Sequence, residues 1–316
     1  MPTKRECVEM DIWERFNSKT LELYRYTNGK KVIIWGYGYV GCFVEHLFKR
    51  TNRSIDIIIE DNLQIKAKRR YILETLNNEE CFIILTMGKD IEVEAYLKQL
   101  GFQENMDYIY VRKLFFPENA ERKVSYYDYL EYYYGLDLIT GKTIDEEASN
   151  KGNKSYSTGP DYSLVDVLDK FVFDDKDAVF DFGCGKGASL INFIYHGIKK
   201  IGGVEYDNEL YLILKNNFTK LGIDYSNVIR DDASNVTEKL DEYNYFYMYN
   251  PFGGELFSKV IKNLEESYLR NKRRITLIYS GACLHSKVIE GGIIMLTKMV
   301  DTDFWLRDVH IYTTHV

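Results

Sequence analysis

The fold is decided by the stretch Val179-Phe180-Asp181-Phe182-Gly183-Cys184-Gly185-Lys186-Gly187-Ala188-Ser189-Leu190. A short apolar run from Ala178 to Phe182 predicts a buried parallel strand, and the apolar pattern from Ala188 to Tyr195 predicts a helix. The three alternate glycines between them allow positive φ and a close approach of the backbone to a ligand. The stretch therefore predicts a strand, a tight turn and a helix whose first N–H groups face an electron-rich ligand group.

Polar residues also close three further predicted strands, and a carboxylate precedes the glycines of the turn. Asp181 is unsuited to a pyrophosphate and suited to a cationic ligand. Lys200–Glu205 predicts a second strand whose terminal carboxylate can accept both hydroxyls of a ribose. Ser226–Arg230 and Tyr243–Tyr249 predict a third and a fourth strand. These run into Asp231-Asp232-Ala233 and Asn250-Pro251-Phe252-Gly253-Gly254, respectively.

In this order the four segments resemble the motifs of class I S-adenosylmethionine (SAM)-dependent methyltransferases, over about Tyr156 to Val316. The resemblance implies that Asp181 and the glycine turn hold the methionine end of SAM, and that Glu205 binds the ribose. It also implies that the adenine lies along Tyr206 and that its amino group donates to Asp232. The cofactor residues predicted on this basis are Tyr156, Asp181, Gly183, Gly185, Gly187, Glu205, Tyr206, Asp232, Ala233 and Asn250.

The predicted acceptor side is Asn250-Pro251-Phe252, which resembles the (Asp/Asn)-Pro-Pro-(Tyr/Phe) motif of amino-group methyltransferases but lacks the second proline. For a planar amino group, the Asn250 side chain and the Pro251 carbonyl would accept its hydrogens. Phe252 would stack on a flat acceptor or close the pocket. The alternative for Asn250 is that it only caps the end of the strand.

An acceptor hydroxyl would also need a base that removes its proton. His285, after the predicted fifth strand, is the first candidate, although a lone histidine is commonly structural. The other candidates are His310, His315, Asp161 and Glu255. The family resemblance further implies that the segment with Tyr156, Thr158 and Asp161 closes over SAM, and helix N-capping is the alternative for Asp161.

A second glycine turn lies near the N-terminus, in Gly36-Tyr37-Gly38-Tyr39-Val40-Gly41. It follows the apolar run Lys31–Trp35, and the acids Glu60 and Asp61 come about 20 residues later, as in a dinucleotide fingerprint. A second site, for a dinucleotide or a nucleotide-sugar, is one interpretation of this turn. The module resembles those fused to bacterial glycan-modifying methyltransferases. An α/β module used for docking or dimerisation is the interpretation favoured over it, because the turn has no visible catalytic partners.

The sequence thus predicts an α/β protein with two Rossmann-like domains, the second a class I methyltransferase sheet that ends in an antiparallel hairpin of 293–301 and 305–313. The predicted limits are 1–120 for the first domain, 121–155 for a Tyr-rich linker with a mobile loop, and 156–316 for the second domain. The linker tyrosines are predicted to pack in a helix between the domains. An aromatic platform for bases or sugars is the alternative.

Composition limits the function further. No apolar run reaches the ~20 residues that span a bilayer, and the charged N-terminus has no signal-peptide core, so we expect a cytoplasmic protein. The five scattered cysteines form no C-x-x-C pair and predict neither a metal site nor disulfides. The net charge of -7 arises in residues 121–316, which carry 23 basic and 30 acidic side chains. This balance argues against a duplex nucleic-acid substrate.

We therefore predict an enzyme that transfers the methyl group of SAM to a small-molecule or saccharide acceptor presented by the N-terminal domain. Amino-group methylation of protein or nucleic acid is one alternative, and a non-catalytic regulator that binds SAM or a nucleotide is another. SAM is the predicted cofactor, together with a nucleotide or nucleotide-sugar in the N-terminal domain. A homodimer is one expectation for the assembly.

Overall fold

The computed structural model describes residues 16–60, 69–119, 122–143, 146–158, 161–300 and 309–314. From Glu9 onward the chain divides into two compact units between Tyr133 and Tyr134. We call them the N-terminal unit and the C-terminal unit and describe each by itself. The division lies inside the predicted linker, at the end of its tyrosine-rich helix.

The N-terminal unit is built on a four-stranded parallel sheet in the order β2-β1-β3-β4. The strands are β1 (Lys31–Trp35), β2 (Ile57–Ile59), β3 (Cys81–Leu85) and β4 (Tyr108–Tyr110). The α-helices are α1 (16–26 in its described part), α2 (Tyr39–Arg50), α3 (Ile91–Gln99), α4 (Val111–Phe115) and α5 (Tyr126–Tyr134). Every residue of β3 is buried, as in a parallel strand that is covered on both faces.

The tyrosine-rich helix α5 contributes to the core of the N-terminal unit. Tyr126 is 1% exposed, and its ring packs edge-to-face on Phe43. Its hydroxyl accepts a hydrogen bond from Arg50 at 2.9 Å. Tyr129 is also buried and packs against Phe16. Packing in this core thus accounts for these two tyrosines, which do not form an exposed aromatic platform. Packing of the helix between the domains stays a prediction.

The C-terminal unit contains a seven-stranded sheet in the order β10-β11-β9-β8-β5-β6-β7. Its strands are β5 (Ala178–Phe182), β6 (Lys200–Glu205), β7 (Val228–Arg230), β8 (Tyr245–Tyr249), β9 (Thr276–Ser280), β10 (Ile294–Val300) and β11 (Val309–Thr314). Strands β5 to β9 pair in parallel, whereas β11 pairs antiparallel with both β9 and β10. The predicted α/β fold with a final antiparallel hairpin is therefore confirmed. The residues between β10 and β11 that were predicted to extend the hairpin, among them Trp305, lie outside the described ranges.

The helices of the C-terminal unit are α6 (Glu146–Asn150), α7 (Asp161–Leu168), α8 (Ala188–Tyr195), α9 (Asn208–Leu221), α10 (Gly254–Arg270) and α11 (His285–Ile289). Local sequence explains the bounds of α9 well. Asp207 accepts hydrogen bonds from the first free N–H groups, and Gly222 ends the helix with a φ of 68°. Among the described residues, no helix is long and apolar enough to cross a membrane.

The parallel strands bring four polar loops to one edge of this sheet. The register places Asp181 of β5 opposite Gly203 of β6, and Phe182 opposite Met248 of β8. The carboxyl ends of β5, β6 and β8 are therefore neighbours. In open α/β sheets, ligands bind at this edge, where the strand order reverses. Here that reversal lies at β5, between β6 and β8.

Candidate functional site

The glycine turn after β5 is tightly packed on two sides. Gly183, Gly185 and Gly187 all have positive φ, at 75°, 53° and 89°. A Cβ added to Gly183 would lie 2.5 Å from the Cβ of Pro251, and one added to Gly185 would overlap the ring of Tyr156. Glycine is therefore required at these two positions for both conformation and space. The turn places two residues of the predicted site, Tyr156 and Pro251, directly on its backbone.

Glu205 joins the second strand to the glycine turn. Its side chain is 7% exposed, and its Oε2 accepts a hydrogen bond from the N–H of Gly185 at 2.8 Å. Its Oε1 accepts from the N–H of Asp207 at 2.8 Å. Burial raises the pKa of Glu205, while these backbone donors act in the opposite direction. A carboxylate has about four lone-pair positions, and the backbone N–H groups of Gly185, Asp207 and Tyr206 all act on this one, so the ribose contact expected from the sequence remains a prediction.

Asp181 lies beside Glu205, on the neighbouring strand. Its side chain is 1% exposed and accepts a hydrogen bond from the hydroxyl of Ser189, at the start of α8. Burial raises the pKa of Asp181 to about 7, and the negative charge of Glu205 adds to this, whereas the Ser189 hydrogen bond lowers it. Two neighbouring buried carboxylates are costly when both are ionised. A cation bound at this edge would remove much of that cost.

The predicted adenine side is formed by Tyr206 and the turn after β7. The carboxylate of Asp232 accepts both the N–H and the hydroxyl of Ser234, at 2.8 and 2.7 Å, and so caps the turn that contains the buried Ala233. Tyr206 is half-buried, and its hydroxyl accepts from the ammonium of Lys151 at 3.1 Å. Both residues lie at the correct edge for the predicted roles, and those roles remain predictions.

Asn250 ends β8 in a left-handed conformation, with a φ of 43°. Its side-chain oxygen accepts a hydrogen bond from the ammonium of Lys154, and the carbonyl oxygen of Pro251 accepts from the N–H of Lys154 at 3.1 Å. Phe252 is 2% exposed and packs on Phe257, so it belongs to the core beneath this loop. Of the two roles predicted for Phe252, closing the pocket fits this burial better than stacking on an acceptor.

The structure describes the side chains of three of the five base candidates. His285 and His310 both contact the hydroxyl of Tyr312, through Nδ1 at 2.9 and 3.1 Å, and the Tyr312 side chain is fully buried. His285 thus has a structural partner, which agrees with the alternative weighed for it. Glu255 is exposed in the first turn of α10. His315 and the side chain of Asp161 lie outside the described part of the chain.

A segment of which the sequence assigned only Tyr156 to the site crosses this edge. We call residues 137–143 and 146–156 the covering segment. Its first part binds the glycine turn and the start of α9: the buried Lys186 donates to Asp137 and to the carbonyl of Thr140, and Lys142 bonds to Asp207 at 2.7 Å. Its second part reaches Tyr206 and Asn250, as described above. These residues carry no local motif, because charged side chains in a polar stretch indicate only solvent exposure.

The predicted second site lies in the N-terminal unit. A Cβ on Gly41 would overlap the carbonyl oxygen of Gly36, whereas one on Gly38 would meet no atom within 4 Å. This is the pattern of a dinucleotide turn, in which one glycine allows close packing and another leaves room for a ligand. Glu60 accepts the N–H of Tyr37 at 2.7 Å and so holds the turn. Asp61 lies outside the described residues.

Metal ligands are not clustered in the residues that the structure describes: no group of three or more His, Cys, Asp or Glu side chains there could hold an ion. Cys184, inside the glycine turn, is 4% exposed, and burial raises the pKa of its thiol. It packs as a small apolar group.

No protein-family model matches this sequence, and no curated protein is similar enough to count as a match. Among solved structures, the chain is similar to a ribosomal protein L11 methylase from Lactobacillus delbrueckii subsp. bulgaricus, with 12% identity over 48% of this chain and 76% of that one and a TM-score of 0.38. It is also similar to a candidate RNA methyltransferase from Pyrococcus horikoshii, with 16% identity, coverage of 61% and 100%, and a TM-score of 0.43. A third similar structure is a SAM-dependent methyltransferase from Aquifex aeolicus, with 14% identity over 48% of this chain and 89% of that one and a TM-score of 0.37. Identities and scores this low leave the function to be argued from the site itself.

Proposed function

We propose that the C-terminal unit binds SAM at the carboxyl edge of its sheet and transfers the methyl group to an acceptor beside Asn250. The observation that carries the proposal is the buried pair of carboxylates on neighbouring strands, Asp181 and Glu205, of which Glu205 is bonded to the glycine turn. This arrangement offers negative charge to a cation and acceptor oxygens to a ribose at the same edge.

The residues of this chain would act by positioning. SAM supplies a methyl group that is already activated by its positive sulfur. Glu205 and Asp232 stand at the ends of neighbouring strands and would fix the nucleoside, while Tyr156 lies over the glycine turn and would exclude water. Asn250 and Pro251 would orient the acceptor. Holding the reacting atoms in line is the largest contribution that such a site makes, and a dry site adds to it.

The geometry favours an acceptor that carries N–H groups. The Asn250 side-chain oxygen and the Pro251 carbonyl oxygen both accept hydrogen bonds, and both already do so from one lysine. An amine on a small molecule or saccharide can donate hydrogen bonds to both oxygens. Its positive charge is also compatible with the protein's net charge of -7. An amino group on a protein fits the oxygens equally well. A duplex nucleic acid fits the charge poorly.

Replacing Asn250 with Ala tests the proposed acceptor site. Purified full-length protein would be incubated with a cell extract and SAM that carries an isotopic methyl label, and products would be sought by mass spectrometry. We expect a labelled amine with the native protein and a loss of about 100-fold in rate with Asn250→Ala, because one oriented acceptor contributes about 2–3 kcal/mol at such a site. SAM binding, measured by calorimetry, should persist in the variant.

Two other outcomes would refute parts of this proposal. An unchanged rate in Asn250→Ala would remove the acceptor role of this residue. Binding of SAM by the native protein without any labelled product would support the regulator that the sequence left open. Asn271→Ala is a matched control, because Asn271 lies at the C-terminal end of α10 and donates to the backbone carbonyl of Asp241, away from Asn250 and the residues proposed to bind SAM.

We propose that the N-terminal unit binds a nucleotide or nucleotide-sugar at its glycine turn, with docking or dimerisation as the alternative. Gly38 has an extended backbone and open space at its Cβ position, so valine there should block a ligand without disturbing the fold. In thermal-shift measurements on the full chain, we expect NAD or a nucleotide-sugar to raise the unfolding temperature of the native protein and not that of Gly38→Val. Absence of a shift with every compound would support the docking role.

The cytoplasmic location rests on sequence alone and remains a prediction.

A further inference from the structure

Part of the covering segment pairs with the acceptor loop through an isolated antiparallel bridge. The N–H of Gly253 donates to the carbonyl of Gly152 at 2.8 Å, and the N–H of Lys154 donates to the carbonyl of Pro251 at 3.1 Å. Between these two bonds, Asn153 and Phe252 form an antiparallel bridge. Such pairing fixes the register of the two segments, so the position of each side chain is specified.

That register places the Lys154 side chain on Asn250. Its ammonium donates to the side-chain oxygen of Asn250, while its own peptide N–H occupies the carbonyl oxygen of Pro251. The Lys154 amine therefore uses one of the two oxygens that the proposed function gives to an amine acceptor, and its peptide N–H uses the other. The side chain is exposed, so solvent can take a proton from its nitrogen.

The same loop touches the proposed cofactor turn. Pro251 packs on Gly183 so closely that a Cβ there would lie 2.5 Å from it. Three residues before Lys154, Lys151 contacts the ring and the hydroxyl of Tyr206, on the proposed adenine side. The segment 151–154 thus follows the edge from the nucleoside side to the acceptor side, and Lys154 is its contact at the acceptor end.

We infer that Lys154 is itself a methyl acceptor, modified by the active site of its own chain. The inference rests on the proposed function. In this reaction the Lys154 nitrogen first loses a proton to water, and its lone pair then forms the N–C bond. The C–S bond of SAM breaks, and its electron pair stays on sulfur as the neutral thioether S-adenosylhomocysteine. The product is a secondary ammonium at Lys154.

The test uses the full-length protein and SAM with a deuterated methyl group. After incubation, peptide mapping by mass spectrometry is expected to find one deuterated methyl on Lys154 and none on Lys151, which serves as an internal control. Lys154→Arg should abolish the signal, and Asn250→Ala should reduce it by about 100-fold, by the same orientation argument as for an external amine. The rate per molecule should not change when the protein is diluted, because donor and acceptor sites belong to one chain.

Calorimetry with SAM separates failure of the inference from failure of the proposed function. If SAM binds and Lys154 remains unmodified, the inference is overturned and the proposed function stands. If SAM does not bind, both are overturned. A rate that rises in proportion to protein concentration would overturn modification within one chain, because a second copy would then supply the acceptor.

Discussion

Glu205→Gln is expected to weaken SAM binding by about 100-fold. In the native protein, Gly185 and Asp207 donate to different oxygens of the Glu205 carboxylate. Glutamine offers one acceptor oxygen, so one of these peptide N–H groups would face an NH₂ group, and the ribose would also lose a charged acceptor. Hydrogen bonds to charged groups contribute about 1.5–3 kcal/mol each, and about 3 kcal/mol corresponds to about 100-fold in affinity.

Glu242→Gln is the matched control for this prediction. Glu242 pairs with Lys200, the first residue of the strand that ends at Glu205, so it lies at the opposite edge of the same sheet. Its substitution removes a surface ion pair, which is worth little, and should leave SAM affinity unchanged. Calorimetry measures both variants. Equal affinity of Glu205→Gln and the native protein would remove Glu205 from the proposed site.

The strand ends of the C-terminal unit were predictable because each one combines signals that are adjacent in sequence. The run from Val179 to Leu190 contains its own strand, turn and helix start, and all three form as predicted. The same holds for Glu205, which is the last residue of the strand that begins at Lys200. Local order of this kind places a residue at the carboxyl edge without any knowledge of its partners.

The contacts of the covering segment were not predictable in this way. Lys154 and Asn250 are 96 residues apart, and Lys186 meets its partner Asp137 across 49 residues. Nothing in an exposed, polar stretch indicates which distant oxygen a lysine will contact, because many surface arrangements of such side chains have similar energies. The structural partner of His285 could not be predicted either, because its contact with Tyr312 depends on the pairing of β9 with β11.

Asp181→Asn is expected to remove the pH dependence that Asp181 gives to the stability of the C-terminal unit. Burial raises the pKa of Asp181 to about 7 from an ordinary value of 3.8. Between about pH 4 and pH 7, the folded protein therefore holds a proton that the unfolded chain has lost, and stability falls as pH rises. Below pH 4 both states are protonated, and above pH 7 both are ionised. The change over this window is about 4 kcal/mol.

Asp241 contributes a pH dependence of stability of the opposite sign, because its hydrogen bond to Arg270 lowers its pKa. Asp241→Asn should therefore leave the fall between pH 4 and pH 7 in place, whereas Asp181→Asn should remove the part that Asp181 contributes and stabilise the fold at pH 8. The raised pKa of Glu205 keeps a fall of the same sign in the variant. Hydrogen exchange of the β5 peptide, corrected for the intrinsic effect of pH, reports the stability of this unit. A native protein whose β5 stability does not fall between pH 4 and pH 7 would contradict the prediction.

Protonation of Asp181 is also expected to be coupled to SAM binding. A cation at this edge favours the ionised carboxylate and lowers its pKa, so SAM binding should release a proton below pH 7. Affinity for SAM is then expected to rise by about tenfold for each pH unit as pH approaches 7, and to level off above it. Asp181→Asn should bind SAM weakly and without this slope. Calorimetry across that range measures both, and an affinity of the native protein that is independent of pH would show that the cation does not lie beside Asp181.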